Sequence, residues 1–435
     1  MQRSENWTVS ATVLPTEVWV MIFERLPSLQ AICECGKVSR GWRALASNDA
    51  VWSALLRHAC VDIEAEAKFA QRQEADSPPP YIDQNTASCF SRNKRIYAAW
   101  HQRYRGFTES YTRMRRATLR LESWARANCE PLLQSLAPGL GWMERETMPV
   151  RELLGVTSDS SAMRDFIILY HLHDGQRRRQ RYLPHGLFGS YECYGEFCSL
   201  SWLSSRMLQV ISMGKVRLLI FAWCHTSRNY LGIVIDCPAA HTNHLLHHVI
   251  QMQPQSYRFV DRGRFGDFFT GYVDELASGA HAVHDGIVSM FPNRGPHANT
   301  SVSHGIRTTV STMFCADETP RFRVYRYEIT FELLNPTILG CSSAQLKSRK
   351  FLLHYHNNEL SHTGGAGVVG QFPIISSDQP FYRYCSRLHD EETGMMVLAF
   401  EGLITMVPGS LDSPQGPEFT LSIPYTELPV PLEIV

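Results

Sequence analysis

Residues 14–52 read LPTEVWVMIFERLPSLQAICECGKVSRGWRALASNDAVW. Pro15 stands where a helix tolerates proline, because the first helical amide has no partner within the helix, and Pro27 stands where the same helix must stop. Between them Val18, Ile22 and Leu26 recur at four-residue spacing while Trp19 and Phe23 add a second apolar row, a wider apolar arc than one packing face needs. Ser28 and Ser39 read as N-caps of two further short helices, the first carrying Leu29, Ile32 and Val38 and the second Trp42 and Leu45. Asn48 and Asp49 offer a cap for a fourth helix with Trp52, Leu55 and Leu56. So small a helical unit buries too little surface to be stable alone, and its surplus apolar surface predicts a docking partner.

The pattern Leu-Pro-x-Glu, amphipathic helix, Leu-Pro break, Val-Ser-Arg-x-Trp and closing Val-Trp resembles an F-box. It is carried by Leu14, Pro15, Glu17, Leu26, Pro27, Val38, Ser39, Arg40, Trp42, Val51 and Trp52. The resemblance, placed at 8–56, implies that these helices pack against the Skp adaptor of a cullin-RING ubiquitin ligase. The contacts it implies fall at Leu14, Pro15, Glu17, Val18, Ile22, Leu26, Leu29, Val38, Trp42 and Trp52. It also implies a scaffold and not an enzyme.

The 435-residue chain has room for two or three domains, and a hydrophobic content of 44% is enough for real cores. Lys plus Arg equals Asp plus Glu at 42 each, so no overall field attracts nucleic acid or an anionic membrane. The balance is not local: from Arg92 to Arg126 there are nine Arg and one Lys against Glu109 and Glu122. That stretch reads as a solvated basic helix or as a patch for an acidic protein or nucleic acid. The N-terminus lacks a signal-peptide core and the longest apolar run, Leu218 to Cys224, is too short to cross a bilayer, which predicts a cytosolic or nuclear chain. Twelve scattered Cys fit reduced thiols, and neither Cys33/Cys35 nor Cys193/Cys198 finds a second pair at zinc spacing. No metal or cofactor is expected.

Residues 57–114 read as a helical connector with a Pro-rich linker, QRQEADSPPPYIDQNTAS at 71–88, followed by helix from Asn93 to Asn128 interrupted at Gly106. Over 115–291 helices alternate with strands. MRDFIILYHLHDG sets Met163, Phe166, Ile167 and Tyr170 on one helical face and ends at Asp174-Gly175. VRLLIFAWC and YLGIVIDC read as a buried hairpin, and FGDFFTGYVDELASG as a helix packed on a sheet. The run Tyr170-His171-Leu172-His173-Asp174-Gly175-Gln176, the turn Leu187 to Ser190, the hairpin and the Phe-rich helix are similar in order and spacing to the SUKH (Smi/Knr-like) domain, an α/β interaction fold. LGVTSDSSAM stands where that family has Leu-Pro.

A Gly/Pro/Asn/Ser break at Pro292 to Ser303 precedes a segment with strands only. In YRYEITFEL, Tyr325, Tyr327, Ile329, Phe331 and Leu333 alternate with Arg326, Glu328, Thr330 and Glu332, the period of a half-buried antiparallel strand. GIRTTVSTMF, LKSRKFLLHYH, PFYRYCSRL, GMMVLAFEGLITMV and FTLSIPYTEL supply the rest of a sandwich of about seven strands. Tyr327 to Thr330, Leu346 to Arg349, the loop Gly365 to Ile375, Tyr384 and Ile423-Pro424 resemble the ApaG domain over 300–432, an immunoglobulin/fibronectin-like sandwich. Gly394 and Met396 keep part of that family's later Gly-x-Met motif. The expected architecture is therefore multidomain α+β, and the order F-box, SUKH-like, ApaG is itself that of a known F-box family.

Gly365, Gly367 and Gly370 spell G-x-G-x-x-G, but Gln-Phe-Pro-Ile-Ile follows where a dinucleotide site needs a helix. A structural turn is the first reading and anion binding by free amides the second. His241, His244, His247 and His248 read as a surface cluster, and His171, His173 and Asp174 as capping residues. No nucleophile, zinc-protease or P-loop motif occurs. The F-box and ApaG resemblances thus imply a substrate-recognition subunit of an SCF ubiquitin ligase, directing a target protein to ubiquitination and proteasomal degradation. Loop residues Gly364, Gly365, Gly367 and Gly370 with Phe381, Tyr382 and Tyr384 are the candidate substrate surface, and a polyphosphate-binding protein working through the same loop is the alternative.

Overall fold

Pro15 precedes the first helix, α1 (Thr16–Glu24), and no side chain caps it. The computed structural model describes residues 14–26, 29–67, 92–139, 161–177, 185–224, 226–227, 229–237, 243–252, 258–315, 324–389, 396–429 and 431–433. Pro27, Ser28, the Pro-rich linker and His241 lie outside them. Two compact units divide the chain, Met1–Arg116 and Ala117–Val435. No helix among the described residues is long and apolar enough to cross a membrane.

In the first unit α1 is followed by α2 (Leu29–Val38), α3 (Arg40–Ala46) and α4 (Asp49–His58). Ser39 caps α3 by accepting the Trp42 amide at 3.2 Å, and Asn48 caps α4 by accepting the Ala50 amide at 2.9 Å. The helix from Arg92 onward does break at Gly106, which takes φ 79°, giving α5 (Arg92–Arg103) and α6 (Thr108–Asn128). Helix α5 is bolted to α4: the Asn93 side chain and backbone amides both donate to the Asp49 carboxylate at 2.8 Å. Behind that junction Trp52, Tyr97, Trp100 and Tyr111 form a chain of ring contacts at 5.3–5.5 Å. The short helical unit therefore draws part of its missing core from the connector that follows it. Two cations of the basic stretch are also spent inside the chain: Arg103 pairs with buried Glu66 at 2.9 Å, and Arg120 pairs with Asp274 within the second unit.

The second unit is built on a sheet of ten strands. Its path runs β10 (His281–His284), β11 (Ile287–Pro292), β3 (Ser190–Cys193), β4 (Glu196–Trp202), β6 (Val216–Cys224), β7 (Tyr230–Asp236), β8 (His248–Met252), β9 (Arg258–Arg264) and β21 (Leu432–Glu433), with β5 (Gln209–Met213) on β6. The hairpin β6/β7 pairs Trp223 with Tyr230. Strand β6 is apolar almost throughout because both its faces are covered, Leu218 and Ile220 facing one cluster and Phe221 the other. On the Phe221 side lie α8 (Ser161–Leu172) and α9 (Phe265–Ala277), joined through Phe166, Phe221 and Phe265 at ring distances of 5.0–5.9 Å. Helix α8 stops at Leu172, two residues before the expected Asp174-Gly175. The next residues form β2 (His173–Gln176), paired with β1 (Leu136–Pro138) just after α7 (Glu130–Ser135).

The same unit carries a two-sheet sandwich. One sheet has the order β12 (Ala298–Ser303), β13 (Ile306–Cys315), β14 (Val324–Leu333), β18 (Phe381–His389). The other has β16 (Leu360–Ala366), β15 (Ser343–Tyr355), β19 (Val397–Pro408), β20 (Phe419–Glu427), with β17 (Ile374–Ser376) beside β15. The short helix α10 (Pro336–Leu339) links the sheets. Tyr327, Ile329, Phe331, Phe351, Phe400 and Ile404 fill the space between them.

Two expectations are corrected here. Ala298–Ser303 is a strand and not a break: at a sheet edge it needs no apolar run, and ANTSVS pairs residue for residue with β13. Strand β14 is not half-buried. Arg326 is 2% exposed and Glu328 8% exposed, although both sit on the face away from the sandwich core. The β3/β4 hairpin covers that face, Cys193 Sγ accepting from Arg326 at 3.0 Å and the Tyr194 and Ser386 hydroxyls lying 2.8 Å apart.

Candidate functional site

Two surfaces collect the residues singled out in the sequence. Val18, Met21 and Ile22 on α1 and Leu14 just before it are 37–55% exposed and form one apolar stripe, with Pro15 and Glu17 exposed beside them. Phe23 turns inward at 1% exposure and meets Trp42 at 5.6 Å, while Trp19 meets Trp42 at 5.3 Å. Leu26, Leu29 and Trp42 are half-buried, and Val38 at the end of α2 is 66% exposed. Trp52 differs from its expected role. It is 5% exposed and its indole N–H donates to the Ala46 carbonyl at 2.8 Å, so it belongs to the interior. Its apolar character answered a need of the fold, not of a partner.

The second surface is a cleft of about 430 Å³ where the sandwich meets the ten-stranded sheet. Two hairpin tips from the sheet form one wall. Each is a two-residue turn with both residues left-handed, Tyr194-Gly195 at φ 54° and 79° and Asp285-Gly286 at φ 52° and 73°, the turn geometry that matches strand twist. The opposite wall comes from β14, β18 and the glycine loop, through Glu328, Arg383, Tyr382 and Gln371. The Tyr382 hydroxyl donates to Gln371 Oε1 at 2.8 Å and ties the loop to the strand. His284 and Phe381 rings meet across the rim at 5.7 Å.

Burial raises the Glu328 carboxyl to about 7, and the Arg383 guanidinium offsets part of that rise. Burial and then Arg383 hold the His284 imidazole below its usual range, which keeps it neutral near pH 7. Asp-Gly and Tyr-Gly are the sequence signals for these tips, and they are weak because each flanking strand is only four to seven residues long.

The glycine loop divides. Gly364 and Gly365 are strand residues of β16, paired with Lys350 and Arg349, so the loop starts later than expected. The amides of Gly367, Val368 and Gln371 donate to Lys347, Gln371 and Val368 carbonyls at 2.8 Å. These three amides are committed to backbone partners, which removes them from anion binding. Gly367 has φ 59° and a Cβ there would lie 2.4 Å from the Gln371 carbonyl oxygen. Gly367→Ala is therefore expected to lower stability by at least about 1–2 kcal/mol from the left-handed backbone alone. Thermal denaturation of the full chain checks this, and an unchanged midpoint would contradict the turn geometry. Phe381 is exposed and Tyr382 half-buried, as a rim would have them, but Tyr384 is 6% exposed and packs toward Tyr327 and Phe331 in the sandwich core. Two of the polar triplet near the end of α8 are engaged across the fold: His173 Nε2 meets Glu122 at 2.8 Å, and Asp174 accepts the Ser205 amide at 2.6 Å.

Against known proteins, the ApaG domain model matches residues 316–407 and the F-box-like model residues 11–58. Protein ApaG of Shewanella woodyi is 30% identical over 128 residues, which cover 29% of this chain and 96% of that protein. The chain belongs to the ApaG family. It does so through its C-terminal sandwich, to which the F-box-like helices add a second domain. F-box only protein 3 of Homo sapiens is 23% identical over 405 residues, 89% of this chain and 78% of that protein. F-box protein SKIP16 of Arabidopsis thaliana is 26% identical over 156 residues, 33% of this chain, which spans 34% of that protein's length. The chain is thus an F-box and ApaG protein homologous to F-box only protein 3.

Proposed function

We propose that the protein is the substrate-recognition subunit of an SCF ubiquitin ligase, itself without catalytic chemistry. The apolar stripe of α1 carries this reading. Val18, Met21 and Ile22, with Leu14 just before them, face solvent on a helix whose inner face is already filled by Phe23, and such a surplus stripe fits a helical partner. The Skp adaptor is that partner, received by Leu14, Pro15, Glu17, Val18, Ile22, Leu26, Leu29, Val38 and Trp42, and through it a cullin-RING assembly. The domain order is F-box at 8–56, connector at 57–114, a SUKH-like domain at 115–291 and ApaG at 300–432. The mixed sheet backed by α8 and α9 supports the SUKH-like reading, and the last two domains together present the target. The protein works in the nucleus, the cytoplasm or both.

The test is binding of the full chain to purified Skp adaptor. The unmodified chain is expected to form a stable complex. A Val18→Asp/Ile22→Asp double variant is expected to lose affinity by at least about 100-fold, the scale of two buried interface anchors. Both side chains point to solvent, so its thermal midpoint should stay that of the unmodified chain. No complex with the unmodified chain would make the receptor reading wrong.

A further inference from the structure

We propose that the cleft beside Glu328 receives the lysine side chain of a polypeptide segment, and that this is how the captured protein is read; the second half of that statement rests on the receptor function proposed above. A buried carboxylate is normally paired or hydrogen-bonded, because its lost hydration is otherwise not recovered. Glu328 is 8% exposed, and its carboxylate makes no hydrogen bond or ion pair with the described residues. Its neighbours on the same sheet are matched: Arg326 donates to Cys193 Sγ, Arg387 lies over the Tyr194 ring at 5.7 Å, and Ser311 donates to the Pro292 carbonyl at 2.6 Å. Glu328 is thus a buried carboxylate without a side-chain partner among the described residues, and it lines the open cavity.

The charge around it selects the sign of the occupant. Glu192 and Asp285 stand exposed on the hairpin tips, so three carboxylates border the cleft against one guanidinium, Arg383, while His284 is neutral. Arg383 is itself exposed and closes no ion pair on Glu328. Tyr194, Phe197 and Ile287 provide the apolar wall that a four-carbon stem needs on its way to a buried carboxylate. At about 430 Å³ the cleft exceeds one side chain and leaves room for the backbone that carries it. A phosphate or another anion would meet three carboxylates against the single Arg383 guanidinium.

The probes are N-acetyl-lysine methylamide, the matching norleucine compound and inorganic phosphate, titrated into the full chain and followed by the amide resonances of the cleft residues. The lysine probe is expected to bind saturably and the norleucine probe and phosphate to leave those resonances unmoved. Glu328→Gln is expected to weaken the lysine probe at least about ten-fold, the loss of one charge-assisted contact. Arg383→Ala, which removes the competing cation, is expected to tighten it. Equal lysine binding by Glu328→Gln, or phosphate binding in place of lysine, would overturn the proposal. Adaptor binding is measured on the same samples: an adaptor complex without lysine binding removes the cleft and keeps the receptor, and lysine binding without an adaptor complex does the reverse.

Discussion

Glu328→Gln is expected to make the chain more stable at pH 8 and to leave it unchanged at pH 4. Burial lifts the folded-state carboxyl to about 7 from 4.5, so the folded chain holds this proton more tightly than the unfolded chain does. Below 4.5 both states are protonated and burial of the neutral acid carries no charge penalty. Between 4.5 and about 7 the unfolded chain ionises first and stability falls, and above 7 the loss is complete. A shift of this size corresponds to about 3 kcal/mol, which the amide side chain avoids at every pH. Urea denaturation of both chains at the two pH values checks it. A gap equal at both pH values would mean that shape and not charge separates them, and a less stable variant at pH 8 would mean that the carboxylate is favourably held. The same substitution is expected to weaken the cleft's occupant, so stability and recognition would move in opposite directions.

Trp52→Ala is expected to destabilise the first unit by about 3–5 kcal/mol, the usual loss for a buried tryptophan. Two causes add. The ring is 5% exposed and packs against Tyr97, and its removal opens a cavity in a small core. The indole N–H also satisfies the Ala46 carbonyl, the last of α3, which has no partner further along its own helix. Trp52→Phe separates the two: it keeps most of the packing and loses only the hydrogen bond, about 1 kcal/mol. Limited proteolysis and far-ultraviolet circular dichroism of the full chain read the result. Unfolding by Trp52→Ala together with a folded Val18→Asp/Ile22→Asp chain would separate the core face of the F-box from its docking face. A stable Trp52→Ala chain would return this residue to the docking face.

The elements themselves were legible in the sequence because each carries a single dominant period. The Phe spacing of α9, the alternation of β14 and the caps at Ser39 and Asn48 all lie where their patterns put them. What each face meets was not legible. Alternation shows that one side of β14 is polar, and a polar side facing water has the same sequence as one facing Cys193 and Tyr194. Arg326 and Glu328 therefore read as solvent-facing and are not. Trp52 erred in the opposite direction, since an apolar residue on a short helix reads alike whether it awaits a partner or α5. The cleft was divided in the sequence among hairpin tips near 194 and 285, a strand near 328 and a loop near 371, which only the tertiary fold brings together.

The short strand β21 follows the sandwich in the chain yet pairs with β9, Leu432 opposite Phe259, whereas the chain left the sheet for the sandwich from β11, near its other end. The sandwich is therefore an excursion between two strands of one sheet, and the pairing that finishes the sheet joins residues far apart in sequence. Loop-closure entropy has to be met before such a contact gives anything back, which places this unit among topologies of high contact order and slow folding. Until β21 docks, β9 is an unpaired edge open to other chains.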